Sequence, residues 1–162
     1  MHNPKVETFI KIIFLVSLVS IISAYFIEYA LGHQPCNLCL IERIPYGLAI
    51  VLIILNHILI KNKRFIILLL ILVFSFSLII SLYHLGIEQG IFEESTVCGL
   101  KDASSIVSKE ELLKQLQVKN VSCKDVTFRI FGFSLTSFNI IISLILVIFL
   151  SKIFKNYDKF KK

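Results

Sequence analysis

Cys36-Asn37-Leu38-Cys39 brings together the residue types best suited to covalent chemistry in this chain. Two residues between thiols is the spacing at which one thiolate attacks and the other resolves. It is also a spacing at which a nearby charge or helix end lowers the pKa of one sulfur. The alternative is a disulfide that merely ties a loop, but a two-residue loop constrains little. Arg43 stands four residues after Cys39, at the edge of an apolar run. If a helix begins near Pro35, whose missing N–H is harmless in a first turn, Cys39 and Arg43 share one face. The guanidinium and the helix N-terminus then favour a thiolate at Cys39. The other reading of Arg43 is an interfacial arginine reaching lipid headgroups, paired with Glu42. Pro45 follows one turn into such a helix and frees a carbonyl there.

Two further cysteines, Cys98 and Cys123, stand far downstream. Four cysteines allow three pairings. Cys36–Cys39 with Cys98–Cys123 is favoured because each pair lies within one connection, and an oxidising compartment lets both form. Closing a loop of about 25 residues between Cys98 and Cys123 stabilises by roughly 3 kcal/mol in the chain-entropy model, so staple and redox roles both stay open for that pair. A zinc site built from all four cysteines is set aside: structural zinc is rare in oxidising compartments, and the second pair lacks C-x-x-C spacing. No metal is expected. His84 and Glu88, four apart where another apolar run ends, either face a shared pocket and deliver protons or are satisfied interfacial groups. His33, just before the cysteine pair, carries the same ambiguity, and His57 reads as structural.

The elements that must hold these residues are membrane spans. The chain has 162 residues, 56% of them hydrophobic, with no Trp and a net charge of +6; its mean hydropathy is +0.84. A soluble domain of this length shows far more polar surface, so the class is integral membrane. The charge sits at the ends of apolar runs, without arginine–aromatic interleaving or a glycine-rich phosphate loop, which argues against a nucleic-acid partner. Apolar runs at about 9–31, 44–60, 65–85 and 130–150 approach the ~20 residues a bilayer core needs in helix, and none alternates with the period of a barrel strand. The first run is longer than a signal-peptide core, and Ser23-Ala24-Tyr25 is a poor cleavage site, so it reads as a retained anchor. The reading is an all-α bundle of four transmembrane helices forming one domain over 1–162.

Charge asymmetry sets the orientation. The N-terminus, the second-to-third connection and the tail carry ten positive residues against Glu7 and Asp158; the other two connections, with Glu28 at the end of the first run, hold seven positives against nine acids. Both termini are therefore expected in the cytoplasm. The connections at about 32–43 and 86–129, which carry all four cysteines, then lie outside. Within the longer one, Ser108-Lys109-Glu110-Glu111 fits a capping box ahead of Leu112, Leu113 and Leu116, so a short amphipathic helix is expected there. It either rests on the lipid surface or packs on its own loop.

Cys36-Asn37-Leu38-Cys39-Leu40-Ile41-Glu42-Arg43 ahead of a span resembles the signature of the DsbB family of disulfide-bond formation proteins. The resemblance extends through Tyr83-His84-Leu85-Gly86-Ile87-Glu88, Leu112-Leu113-Lys114-Gln115-Leu116-Gln117, Cys123-Lys124-Asp125 and Phe131-Gly132-Phe133-Ser134-Leu135, covering about residues 10–150. Phe128 and Phe138 stand where relatives often carry Trp. The resemblance implies a bacterial inner-membrane oxidoreductase that reoxidises a periplasmic thioredoxin-fold dithiol oxidase of the DsbA type. Electrons then pass to membrane quinone, ubiquinone or menaquinone. It implies that the partner's thiolate attacks Cys98, that reduced Cys98 and Cys123 exchange with Cys36–Cys39, that Cys39 faces the quinone, and that Arg43 positions and polarises a quinone oxygen; His84, from its place at the end of a span, is a further candidate for the quinone site. A structural alternative is a non-catalytic membrane assembly protein whose loop disulfides are staples. Direct oxidation of secreted proteins, or a vitamin-K-like quinone reductase role, keeps the enzyme and changes its partner.

Overall fold

The computed structural model describes residues 4–58, 63–93, 122–124, 128–130 and 132–157. Four helices dominate: α1 (Pro4–Tyr29), α2 (Asn37–Ile58), α3 (Lys63–Glu88) and α4 (Leu135–Lys155). A two-stranded hairpin, β1 (Arg129–Ile130) and β2 (Phe133–Ser134), precedes α4. All four helices are long and apolar enough to cross a membrane, where intrahelical hydrogen bonds satisfy the backbone without water. The expected all-α, four-span architecture is the observed one. Cys98 and the amphipathic segment expected near 108–117 lie outside the described residues.

Two helix boundaries differ from the apolar runs. Helix α2 begins at Asn37, ahead of the apolar run at 44 and close to the helix start near Pro35 that puts Cys39 and Arg43 on one face; Glu42 and Arg43 find partners within the bundle and do not have to stay in a loop. Helix α4 begins at Leu135, not near 130. There the apolar segment first folds back on itself, pairing Arg129 with Ser134 and Ile130 with Phe133. Gly132, at φ 87°, takes the positive-φ position of the turn. Ser134 then caps α4, its hydroxyl accepting the Ser137 N–H at 3.4 Å.

Helix α3 stops just after Glu88. Gly90 adopts φ 73°, its N–H bonds the Ile87 carbonyl, and the Ile91 N–H bonds the Gly86 carbonyl at 2.8 Å. These are the two bonds of a Schellman cap, a left-handed closure that glycine reaches without a Cβ penalty. The cap fixes where Glu88 leaves the helix.

Packing runs α1 on α2, α2 on α3 and α3 on α4, with Phe9 of α1 set edge-on against Phe149 of α4 at 4.9 Å. Half of the interior is apolar: Val6, Ile10 and Ile13, Ala49 and Ile53, Ile66, Ile67, Leu70 and Phe74, and Leu146, Leu150 and Ile153 form one buried cluster. The other half, toward Cys36, is lined by polar residues. Ser77, Ser81 and His84 of α3 are buried opposite Ser143 and Thr136 of α4, forming the close, hydrogen-bonded helix contact that small polar residues permit in a membrane. Leu15, Val19, Ile22 and Phe26 of α1 point outward, as a lipid-facing stripe does.

Candidate active site

Cys36 is the residue immediately before α2 and acts as its N-cap. Its carbonyl accepts the Leu40 N–H at 3.2 Å, and its sulfur accepts the Cys39 N–H at 3.3 Å. A sulfur in this position sits at the positive end of the helix dipole. Both cysteines are free thiols, with their sulfurs 2.8 Å apart; the expected Cys36–Cys39 disulfide is open, so the site is described in its reduced form. Cys123 is disulfide-bonded and buried against Cys36, Leu38 and Ile87.

From α3, His84 reaches the sulfur of Cys36 with Nε2 at 3.5 Å. Its Nδ1 lies 2.8 Å from Oε1 of Glu42 and 3.2 Å from the Thr136 hydroxyl. The Thr136 hydroxyl donates to Glu88 at 2.6 Å, so its oxygen is left to accept. Two acceptors therefore face Nδ1, which must carry a proton. Nε2 is the position that exchanges a proton with Cys36. Glu88 stands 3.7 Å from the same Nε2.

Glu42 is held from its other side. Asn139 of α4 donates from Nδ2 to Glu42 Oε2 at 3.0 Å and to the Ser81 hydroxyl at 2.7 Å. Asn139 Oδ1 accepts from the Tyr46 hydroxyl and from Ser143 at 3.5 Å, while Ser143 and Ser77 meet at 3.1 Å. Every named polar group in this seam has a partner, which is what makes burying them tolerable.

The thiol that ionises most readily is Cys36, brought down to about 5. The hydrogen bond from the Cys39 thiol is the main cause. Burial opposes it, and the hydrogen bond and charge of His84 reinforce it. This corrects the expectation that Arg43 and the helix end favour a thiolate at Cys39. The helix starts at Asn37, so its dipole acts on Cys36. Arg43 meanwhile bonds Glu28 of α1 at 2.5 Å and lies over the Tyr25 ring at 5.0 Å. Nor does Arg43 pair with Glu42, the reading in which it snorkels at the interface; Glu42 belongs to His84.

The structure brings together Cys36, Cys39, His84, Glu88 and Cys123 around one cavity of about 350 Å³, with Arg43 and His33 on its wall. The His33 ring packs against Phe128 at 5.0 Å. His57 is exposed in the last turn of α2, at the far end of that helix from Cys36. Sequence reasoning missed the part played by Glu42 and did not single out Thr136, Asn139, Tyr46 or Ser81. A signal was available: Ser77, Ser81, His84 and Glu88, and likewise Thr136, Asn139 and Ser143, recur every three or four residues in otherwise apolar spans.

A partly buried dithiol at a helix N-terminus, backed by a histidine–carboxylate pair, has the groups that could move electrons and protons together. The sequence agrees with this geometry: the chain matches the family described as disulfide bond formation protein DsbB over residues 7–153. It belongs to the DsbB family. An uncharacterized protein of Rickettsia prowazekii (strain Madrid E) is 33% identical over 151 residues, with 88% of this chain and 84% of that protein covered. No solved structure matches. As a DsbB-family member the chain is a multi-pass membrane protein of disulfide bond formation, and the cysteines its site assembles are the groups such a task requires.

Proposed function

We propose that this protein is a dithiol:quinone oxidoreductase. It reoxidises a periplasmic thioredoxin-fold dithiol oxidase of the DsbA type and delivers the electrons to membrane quinone, ubiquinone or menaquinone. The observation that carries the reading is the Cys36–Cys39 dithiol on the wall of a largely apolar cavity, hydrogen-bonded to buried His84 and Glu42. The protein acts as one membrane domain over residues 1–162 in a bacterial inner membrane, with both termini cytoplasmic and the cysteines on the periplasmic side. The excess of Lys and Arg at the opposite ends of the spans supports that orientation.

The cavity fits a quinone head group. Its volume lies at the lower end of the range for ligand pockets. Ile21, Ala24, Ile27 and Ile142 supply apolar wall, and Cys39, Arg43 and Asn139 supply a few polar groups. A quinone supplies a two-electron, two-proton acceptor dissolved in the same lipid phase. Cys39 would face it, and Arg43, fixed by Glu28 and Tyr25, would direct N–H groups toward a ring oxygen.

The thiol steps balance as follows. The partner's thiolate attacks Cys98 of a Cys98–Cys123 disulfide, and the partner leaves with its own disulfide as Cys98 and Cys123 become thiols. These then exchange with the Cys36–Cys39 disulfide, which is reduced while Cys98–Cys123 re-forms. The presence of Cys123 and Cys36 in one buried cluster supports Cys36 as the exchanging sulfur. The protons released from Cys36 have an acceptor in His84 Nε2 and a next station in Glu88.

The test uses purified protein, a reduced thioredoxin-fold partner and a soluble quinone. Wild type should reduce quinone in proportion to partner oxidised; Cys39→Ala should abolish it, and Cys123→Ala should accumulate a partner cross-linked through Cys98. Quinone turnover retained in Cys39→Ala sinks the assignment. No cross-link in Cys123→Ala favours the staple reading.

A further inference from the structure

We propose that the reduced dithiol and His84 together form a binding site for one thiophilic d10 dication, with Zn²⁺ as the probe, and that this site exists only while Cys36 and Cys39 are reduced. The sulfurs of Cys36 and Cys39 and a ring nitrogen of His84 lie within 4.8 Å of one another. Cys36 Sγ and His84 Nε2 are 3.5 Å apart. That is about the separation spanned by two ligands of a tetrahedral zinc with Zn–S near 2.3 Å and Zn–N near 2.0 Å. The sulfurs, at 2.8 Å, must part by about 1 Å to reach the ~3.7 Å the same geometry sets.

The surroundings are built for a ligand histidine. Nδ1 is fixed by Glu42 and Thr136, which presents Nε2 to the sulfurs in the carboxylate–histidine arrangement that orients metal ligands. Three protein donors leave a fourth position open, as in zinc sites that bind an exogenous group, and Cys36, Cys39 and His84 all line the cavity. Two thiolates cancel the dication's charge, so a partly buried site gains no net charge from its ligands. Each sulfur binds as a thiolate; the protons the dithiol carries leave to solvent and no sulfur is oxidised. The bound cation holds both sulfurs apart from a disulfide and parks the protein in its reduced state. This donor set differs from the four-cysteine site weighed from sequence, since His84 replaces the downstream pair. The inference rests on the donor geometry and not on the quinone reading.

The experiment titrates the purified, reduced full chain with Co²⁺, read by thiolate-to-cobalt charge-transfer absorption, and then displaces Co²⁺ with Zn²⁺. One equivalent should bind to reduced protein and none to the Cys36–Cys39 disulfide form. The band should persist in the Cys98→Ser/Cys123→Ser variant and vanish in Cys36→Ser, and Glu42→Gln should bind ~10–100-fold more weakly. X-ray absorption on the zinc-loaded wild type, which needs no substitution, should show two sulfurs and one imidazole nitrogen. Equal binding by oxidised protein, no band in the reduced protein, or a first shell lacking imidazole overturns the proposal. Metal binding without quinone turnover would instead overturn the function proposed above and leave this site standing.

Discussion

Replacing Glu42 with Gln removes one charge from the centre of the seam while keeping its shape. The carboxylate accepts from His84 Nδ1 at 2.8 Å and from Asn139 Nδ2 at 3.0 Å. A glutamine has one oxygen for these two donors. If it faces His84, its NH₂ meets the NH₂ of Asn139. Asn139 cannot turn over without losing the bonds its oxygen accepts from Tyr46 and Ser143. A charge-assisted bond of roughly 1.5–3 kcal/mol becomes a neutral one of roughly 0.5–1.5, and an opposed donor costs about 1–3 more. The first loss, about 1 kcal/mol, is the part that reaches Cys36, because it weakens the charge on His84 that favours the thiolate. Since one pH unit is 1.36 kcal/mol, the Cys36 titration should rise by up to about one unit in Glu42→Gln. A thiol titrating at about 6 is still about nine-tenths ionised at pH 7, so turnover should change little there and fall by up to about tenfold below about pH 5. The assay is the pH dependence of alkylation of the reduced protein, with Cys36 separated from Cys39 by peptide mass spectrometry, alongside quinone reduction. An unchanged or lower Cys36 titration, with turnover unchanged below about pH 5 as well, refutes the coupling of Glu42 to the thiol through His84.

Gly90→Ala places a Cβ at φ 73° and should cost ~1–2 kcal/mol, seen as a melting point lowered by about 3 °C per kcal/mol; an unchanged melting point would remove the cap from the argument. A double-mutant cycle of Arg43→Gln with Glu28→Gln should show coupling of ~0.5–3 kcal/mol, because the pair is 2.5 Å apart and 17% and 20% exposed; simple additivity would refute it. Asn139→Leu leaves Tyr46, Ser81 and Glu42 each short of a partner, and should lower the melting point more than Ser143→Ala does. Because Cys36 is ionised above about pH 5, reducing Cys36–Cys39 takes up two protons below that pH and one above it. If the proton leaves the site, the midpoint potential should therefore change from ~59 to ~30 mV per pH unit near pH 5, measured against glutathione; a slope of ~59 mV continuing to pH 7 means that the second proton is kept, on Cys36 or on His84.

The bundle was legible because length and hydropathy are properties of a run, and the four runs between 9 and 150 have both. The inclusion of Glu42 and Arg43 in the bundle was not, because they look like the end of a membrane segment unless their partners are known. Those partners come from other helices: Glu28 of α1 takes Arg43, and His84 of α3 takes Glu42. Adjacent residues point in different directions on a helix, so pairing Glu42 with Arg43 by sequence proximity was geometrically unsound. The cysteines and His84 were found from residue type and spacing alone. The identity of the ionised sulfur was not, since it depends on whether the helix begins before or after Cys36.

The difference between the two sulfurs gives the site a direction. A dithiol whose reduced form is stabilised as a thiolate is a stronger oxidant, because reduction gains that stabilisation. Cys36 has the helix end, the Cys39 thiol and His84 to stabilise it, so a Cys36–Cys39 disulfide would draw electrons from Cys123, in the same buried cluster, once the disulfide of Cys123 has itself been reduced. The same stabilisation makes the reduced pair a poorer donor, so reoxidation requires an acceptor stronger still and a route for protons off the sulfurs. The polar seam meets the second requirement without water: His84, Glu42, Thr136 and Glu88 form a hydrogen-bonded path from Cys36 along the α3–α4 contact. A loop-tying disulfide needs neither a thiolate stabiliser nor buried ionisable groups on two helices. Their hydrogen bonds make that burial tolerable, but polar groups within a span more often mark a functional site than a structural one, and that is the physical argument against the staple reading.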